Sequence, residues 1–181
     1  MNIFQRIQNI LITPATEWPV IAGEPNNAVL LMTAFAFPLI GIGSVATFLG
    51  YSLRGAPLGG LELGILTFVL LAIFTVAIAI VASKMAPQFG GRDDIGAALK
   101  FSVYYQVPGW LGGIFMLIPA IGLIGMLFAL YDIYLIYTGA TPMLGIAADK
   151  RGPFTAILVA AIIVLFLFIS VIGGVIVRVG Q

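Results

Sequence analysis

Residues 28–53 run apolar for 26 positions. At about 1.5 Å of rise per residue, a helix of that length crosses the roughly 30 Å hydrocarbon core of a bilayer with room to tilt. Further runs follow at 61–83, 101–138 and 154–177. Of 181 residues, 61% are hydrophobic and 8% charged, against roughly 45–50% and about 25% in soluble domains. A transmembrane barrel needs short alternating strands, which these continuous runs are not. The expected fold class is all-α: a polytopic transmembrane helical bundle forming a single domain over residues 1–181.

The 38 residues of 101–138 are too many for one ordinary crossing, and they divide near Pro119 into spans of about 101–118 and 120–138. With 28–53, 61–83 and 154–177 this makes five. A four-span chain, in which 101–138 is a re-entrant pair or one tilted crossing, is the alternative. Pro38 interrupts the first span, and because proline removes an internal hydrogen bond a bend or a freed carbonyl is expected there. The third span contains Tyr104, Tyr105, Gln106 and then VPGWLGG, which predicts a broken helix where protein or water shields it. Lipid supplies little drive for helix association, so Gly109, Gly112, Gly113, Gly122, Gly125, Gly173 and Gly174 are expected to let backbones approach.

The opening MNIFQRIQNILITP places Ile3, Phe4, Ile7, Ile10 and Leu11 on one side of a helix and Gln5, Arg6, Gln8 and Asn9 largely on the other. That pattern suits a short interfacial amphipathic helix over 2–13, ended by Pro14; a helix packed on neighbouring protein is the second reading. A cleaved signal peptide fits less well, since polar residues break the apolar run and no small-residue cleavage site follows. Residues 15–27 read as a polar connector with Trp18 as an interfacial anchor, and 84–100 as a solvated loop. Five crossings with a cytoplasmic N-terminus place Arg6, Lys84, Arg92, Lys100, Lys150 and Arg151 on the cytoplasmic side, against Arg54 and Arg178 on the other. Six against two supports that orientation.

The chain contains no Cys and no His, which removes thiol nucleophiles, imidazole bases and the usual zinc ligands. No metal and no cofactor is expected, and a net charge of +1 with scattered basic residues gives no nucleic-acid footprint. Glu17 with Glu24 and Asp93 with Asp94 read as polar interface and loop surface, with no base, nucleophile and electrophile arrangement around them. The remaining candidate is Asp132, in MLFALYDIYLIYTG between two apolar stretches. A carboxylate at that depth needs a partner, an aqueous cavity or a proton. Tyr131, Tyr134 and Tyr137 recur every three residues beside it, and Tyr104 or Tyr105 of the third span is the natural donor to it. The candidate polar intramembrane site is therefore Asp132, Tyr131, Tyr134, Tyr104, Tyr105 and Pro108.

The order RIQNILITPATEWPVIAGE, a first span holding Pro38, and YDIYLIYTGA followed by a loop and one last span resembles the bacterial branch of the Yip1 domain family over residues 4–177. Pro14, Trp18, Glu24 and the tyrosine-rich helix ending at Gly139 carry the likeness most specifically. The resemblance implies a five-helix inner-membrane protein with a cytoplasmic N-terminal region and no catalytic residue set. Eukaryotic relatives associate with small GTPases and influence vesicle traffic or membrane shape, but this chain lacks their long N-terminal region. The leading expectation is a non-enzymatic module that meets membrane lipids and another copy or other membrane proteins. A small transporter or channel built around Asp132 is the alternative, and an intramembrane enzyme ranks third.

Overall fold

The computed structural model describes residues 2–118 and 122–179, and among these every regular element is helical. The order is α1 (Ile3–Ile12), α2 (Pro14–Gly23), α3 (Ala28–Leu31), α4 (Phe37–Ser52), α5 (Pro57–Met85), α6 (Ile95–Tyr105), α7 (Val107–Gly112), α8 (Gly122–Leu144) and α9 (Arg151–Val179). A π-helical turn, Met32–Ala36, joins α3 to α4 so that Ala28–Ser52 is continuous. A 3-10 turn, Ala86–Phe89, extends α5, and another, Gly113–Leu117, follows α7.

By length and composition, three of these stretches are long and apolar enough to cross a membrane: Ala28–Ser52, Pro57–Phe89 and Ala148–Val175. On α5 the residues Leu61, Ile65, Val69, Ile73, Val76 and Ile80 form an exposed stripe at helical spacing, and α9 turns Val164, Phe166, Leu167, Phe168 and Val171 outward. A water-soluble surface does not leave so long an apolar stripe uncovered; lipid contact accounts for it. The expected fourth span begins at Ala120 after the division at Pro119, and both residues lie outside the described part. Its helix, α8, continues past the expected end at residue 138 to Leu144.

The helix over the expected third span is discontinuous, as VPGWLGG predicts. Asp94 accepts from the Ala97 N–H at 3.0 Å and starts α6 well before residue 101, so Lys100 lies inside a helix instead of a solvated loop. The helix then breaks at Gln106, and Pro108 stands in the first turn of α7, which Val107 opens. Glycine lets this broken segment meet α4: a Cβ on Gly113 would stand 2.9 Å from the Gly43 Cα. At Pro38 the disturbance takes the form of the π turn just upstream, where Phe37 N–H reaches back to the Met32 carbonyl. An unbroken α-helix would set the proline ring against the Ala34 carbonyl.

Residues 15–27 are mostly not a connector. Pro14 occupies the first position of α2, where its missing N–H and fixed φ suit a helix start, so the residue expected only to end α1 begins a second helix. Trp18 is 0% exposed and donates its indole N–H to Thr138 Oγ1 at 3.2 Å. It is a core residue joining α2 to α8, not an interfacial anchor.

The connections sort into two groups. Arg92 N–H donates to the Leu144 carbonyl at 2.9 Å and Ala147 N–H to the Phe89 carbonyl at 3.2 Å, so the turns after α5 and α8 meet, each bent by a left-handed glycine, Gly90 and Gly145. The α1–α2 hairpin packs on α6 and α8. Away from these, Gly50 near the end of α4 lies against the carbonyls of Met116 and Leu117.

In the turn after α5, Asp93 accepts from Lys84 Nζ at 2.7 Å and Ser83 Oγ at 2.6 Å. These bonds, Lys84 foremost, hold its carboxyl below the usual carboxylate range. A depressed folded pKa contributes stability above the unfolded value and loses it as pH falls through the folded one. The melting-temperature difference between wild type and Asp93→Asn is therefore expected to stay constant from about pH 8 to about pH 5 and to shrink only in stronger acid.

Candidate functional site

The break between α6 and α7 generates the first part of the site. Proline has no N–H, so Pro108 leaves Gly109 as the first donor after it in α7. Gly109 N–H donates to Asp132 Oδ1 at 3.2 Å. The carboxylate on α8 thus acts as a cap for a helix start on another segment. This differs from the tyrosine hydrogen bond expected for Asp132. The close fit requires glycine: a Cβ at position 109 would lie 2.8 Å from Asp132 Oδ2. Gly109→Ala is expected to turn the carboxylate away and lower stability by about 1–3 kcal/mol. Thermal unfolding of Gly109→Ala, Asp132→Ala and the double variant checks this, the double costing less than the sum of the singles.

Beside the break, Gln106 donates to the Ser102 carbonyl at 2.6 Å and Ser102 Oγ donates to the Thr75 carbonyl at 2.7 Å, while Thr75 Oγ1, which donates to the Leu71 carbonyl at 2.8 Å, lies 3.4 Å from Gln106 Oε1. This buried knot ties α6 to α5 where the helical ladder is interrupted. Next to it lies a cavity of about 510 Å³, mostly apolar, lined by Tyr105, Gln106, Gly109, Trp110 and Asp132 together with aliphatic residues of α4, α5, α8 and α9.

The six candidate residues separate into several environments. Asp132 and Tyr105 share the cavity. Tyr104, one residue earlier, points elsewhere: its ring lies 4.8 Å from that of Phe35 and 5.7 Å from the Arg6 guanidinium carbon. Tyr131 donates its hydroxyl to the Leu11 carbonyl at 2.7 Å, holding the end of α1, and with Pro108 it lines a shallow apolar depression. Tyr134 is exposed and faces a groove between α8 and α9.

A second polar cluster was not visible as such in the sequence. Arg6, 4% exposed, donates to both Glu17 Oε1 and Glu24 Oε1, and Asn9 Nδ2 donates to Glu17 Oε2 at 3.0 Å. Glu17 is 5% exposed, so this is not loop surface. The inward face of α1 is Ile3, Arg6, Ile7 and Ile10, while Phe4, 75% exposed, turns out. Lys100 Nζ donates to the carbonyls of Ile21, Ala22 and Glu24, at 3.0, 3.4 and 2.6 Å, supplying partners that the end of α2 lacks. A cavity of about 360 Å³ lies beside Arg6, Glu24, Lys100 and Tyr104. Two cations and two carboxylates balance in this cluster, which makes it a clasp and not an anion site. The usable signal is scarcity: in a chain with 8% charged residues, a base followed by two acids over eighteen positions implies mutual pairing.

Among the described residues no group of three or more Asp, Glu, Cys or His side chains could hold a metal ion. Comparison with known proteins finds no match among curated proteins and none among solved structures. The model of the Yip1 domain family does match, over residues 9–171. That span takes in the end of α1, all of α2 with Glu17 and Trp18, the π turn, the broken segment of α6 and α7, and most of α9. With apolar helices that call for lipid contact, the chain is a membrane protein and belongs to the Yip1 domain family.

Proposed function

We propose that this protein is a non-enzymatic membrane-organising or protein-interaction module, crossing a bacterial inner membrane five times with its N-terminus in the cytoplasm. The observation that carries the reading is the α1–α2 hairpin. It is tied to the bundle by buried charges, yet it presents Phe4, Ile12 and Val20 outward. A hairpin held rigidly with apolar side chains facing away suits contact with the bilayer interface or with another protein. The joined turns around Phe89 and Leu144 support putting Asp93 and Asp149 on one side, as five crossings require.

Photo-crosslinkers at Phe4 and Ile12 in native membranes are expected to recover discrete protein or self contacts. A strictly solitary protein with robust solute transport defeats the reading. Cysteines at Asp93 and Asp149 are expected to report the same compartment, and opposite compartments defeat the topology. A small transporter or channel is the second reading, favoured by the cavity that holds Asp132. Reconstituted flux unchanged by Asp132→Asn rejects that residue as its site.

A further inference from the structure

The cavity beside Asp132 is chemically specific. Tyr105 and Trp110, which help line it, are 2% and 5% exposed, and neither the Tyr105 hydroxyl nor the Trp110 indole N–H has a hydrogen-bond partner among the described residues. Buried donors without acceptors are costly, so each unpaired one calls for an explanation. Asp132 uses Oδ1 for Gly109, and its Oδ2 carries no hydrogen bond among the described residues. No Lys or Arg lines the cavity. Tyr105, Trp110 and Asp132 thus bring two unpaired donors, both closed to solvent, and one free carboxylate oxygen to the cavity wall, with no positive charge among the lining residues. Such a lining disfavours an anion and fits an uncharged group with both an acceptor oxygen and a hydroxyl, which reaches the donors once the wall opens around it.

The rest of the cavity gives the body of the ligand. Leu130, Ile133 and Val159 line both this cavity and a groove of about 560 Å³ on the neighbouring face of α8 and α9. Leu130, Ile163, Phe166 and Leu167 are themselves exposed, so the way in lies along the apolar seam between the two helices. A volume of about 510 Å³ falls within the roughly 300–1,000 Å³ of ligand pockets. A ligand that enters along apolar side chains and ends in a neutral polar group is an acyl lipid.

We propose that this cavity is a lateral site for a neutral acyl glyceride, whose chain lies between α8 and α9 while its ester carbonyl accepts from Tyr105 and Trp110 and its free hydroxyl donates to Asp132. The site stands apart from the interaction role of the hairpin, whose test reads contacts at Phe4 and Ile12. Failure of one leaves the other intact.

The test uses the full chain in phosphatidylcholine nanodiscs with a diazirine-tagged monoacylglycerol as probe. Labelling is expected in α8 and α9, displaced by monoolein, displaced about five- to tenfold less well by methyl oleate, which lacks the hydroxyl, and unaffected by oleate. Tyr105→Phe and Trp110→Phe are each expected to weaken binding about five- to tenfold. Tyr105→Phe removes an unpaired hydroxyl, so the melting temperature of the lipid-free protein is expected to hold or rise; a purely structural role for that hydroxyl predicts a fall. Labelling indifferent to both variants and to competitor identity, crosslinks between copies through α8 and α9, or stronger displacement by dodecyltrimethylammonium than by monoolein each overturns the proposal.

Discussion

Arg6→Ala is expected to destabilise the protein by about 3–5 kcal/mol, the range for removing one member of a buried ion pair. Glu17 would keep only the Asn9 amide as a partner while 5% exposed, and Glu24 would lose its one ion pair among the described residues. Glu17→Gln is expected to cost less, because Arg6 retains Glu24 and glutamine still offers an oxygen. The double variant Arg6→Leu with Glu17→Leu is expected to be more stable than Arg6→Ala, since leucines at these positions leave no buried charge behind. Thermal unfolding in detergent measures the three, and limited proteolysis across residues 13–27 locates the loss at the hairpin. Because the pair is buried, raising salt from about 0.05 to about 0.5 M is expected to change the ranking little. An Arg6→Ala protein that melts with wild type would mean that the clasp contributes nothing.

The second large effect lies where α2 meets α8. Trp18 sits between Phe101, with ring centroids 5.8 Å apart, and Gly139, where a Cβ would stand 2.7 Å from Trp18 Cε2. The indole is too rigid to move its ring edge by rotamer changes alone, so Gly139→Val forces α2 off α8. Trp18→Ala is expected to cost about 3–5 kcal/mol, in the manner of other large core truncations. The same substitution at an interfacial anchor would leave the fold intact and alter only membrane depth. Combining Gly139→Val with Trp18→Phe is expected to recover part of the loss, because the smaller ring vacates the space that valine enters. Melting temperatures of the two singles and the double decide this, with additive losses excluding a direct clash.

Both predictions concern the segment where sequence reasoning fared worst, and the reason is physical. Apolar periodicity reports where a chain meets lipid or core, so the all-helical architecture could be read from the runs at 28–53, 61–83 and 154–177. The break after Gln106 was equally legible, because Pro108 and Gly109 alter the backbone itself. Residues 15–27 have no such local signature. Glu17 and Glu24 look like surface until Arg6 is known to lie between them, and Trp18 looks amphipathic until Gly139, more than a hundred residues later, is seen to open a slot for it. Lys100 reads as the end of a polar loop over 84–100; its partners are carbonyls at the far end of another helix. For the candidate site, the sequence singles out Asp132 as an unusual carboxylate. It could not separate Tyr104 from Tyr105, whose rings diverge into different cavities by the rotation of a single helical residue.

The π turn at Met32–Ala36 bears on how this helix can change length over evolution. In an ordinary α-helix, deleting one residue swings everything downstream by about 100° and exchanges buried for exposed faces. A π turn already accommodates one residue more than the regular spiral, so a chain shorter by one within 32–36 closes up to α spacing while Leu39, Ile40 and Gly43 keep their heading, but it then sets the Pro38 ring against the carbonyl four residues before it. Alleles shorter by a single codon there are expected to keep the downstream packing at a stability lower by about 3 kcal/mol, and the same loss a turn or two later is not tolerated.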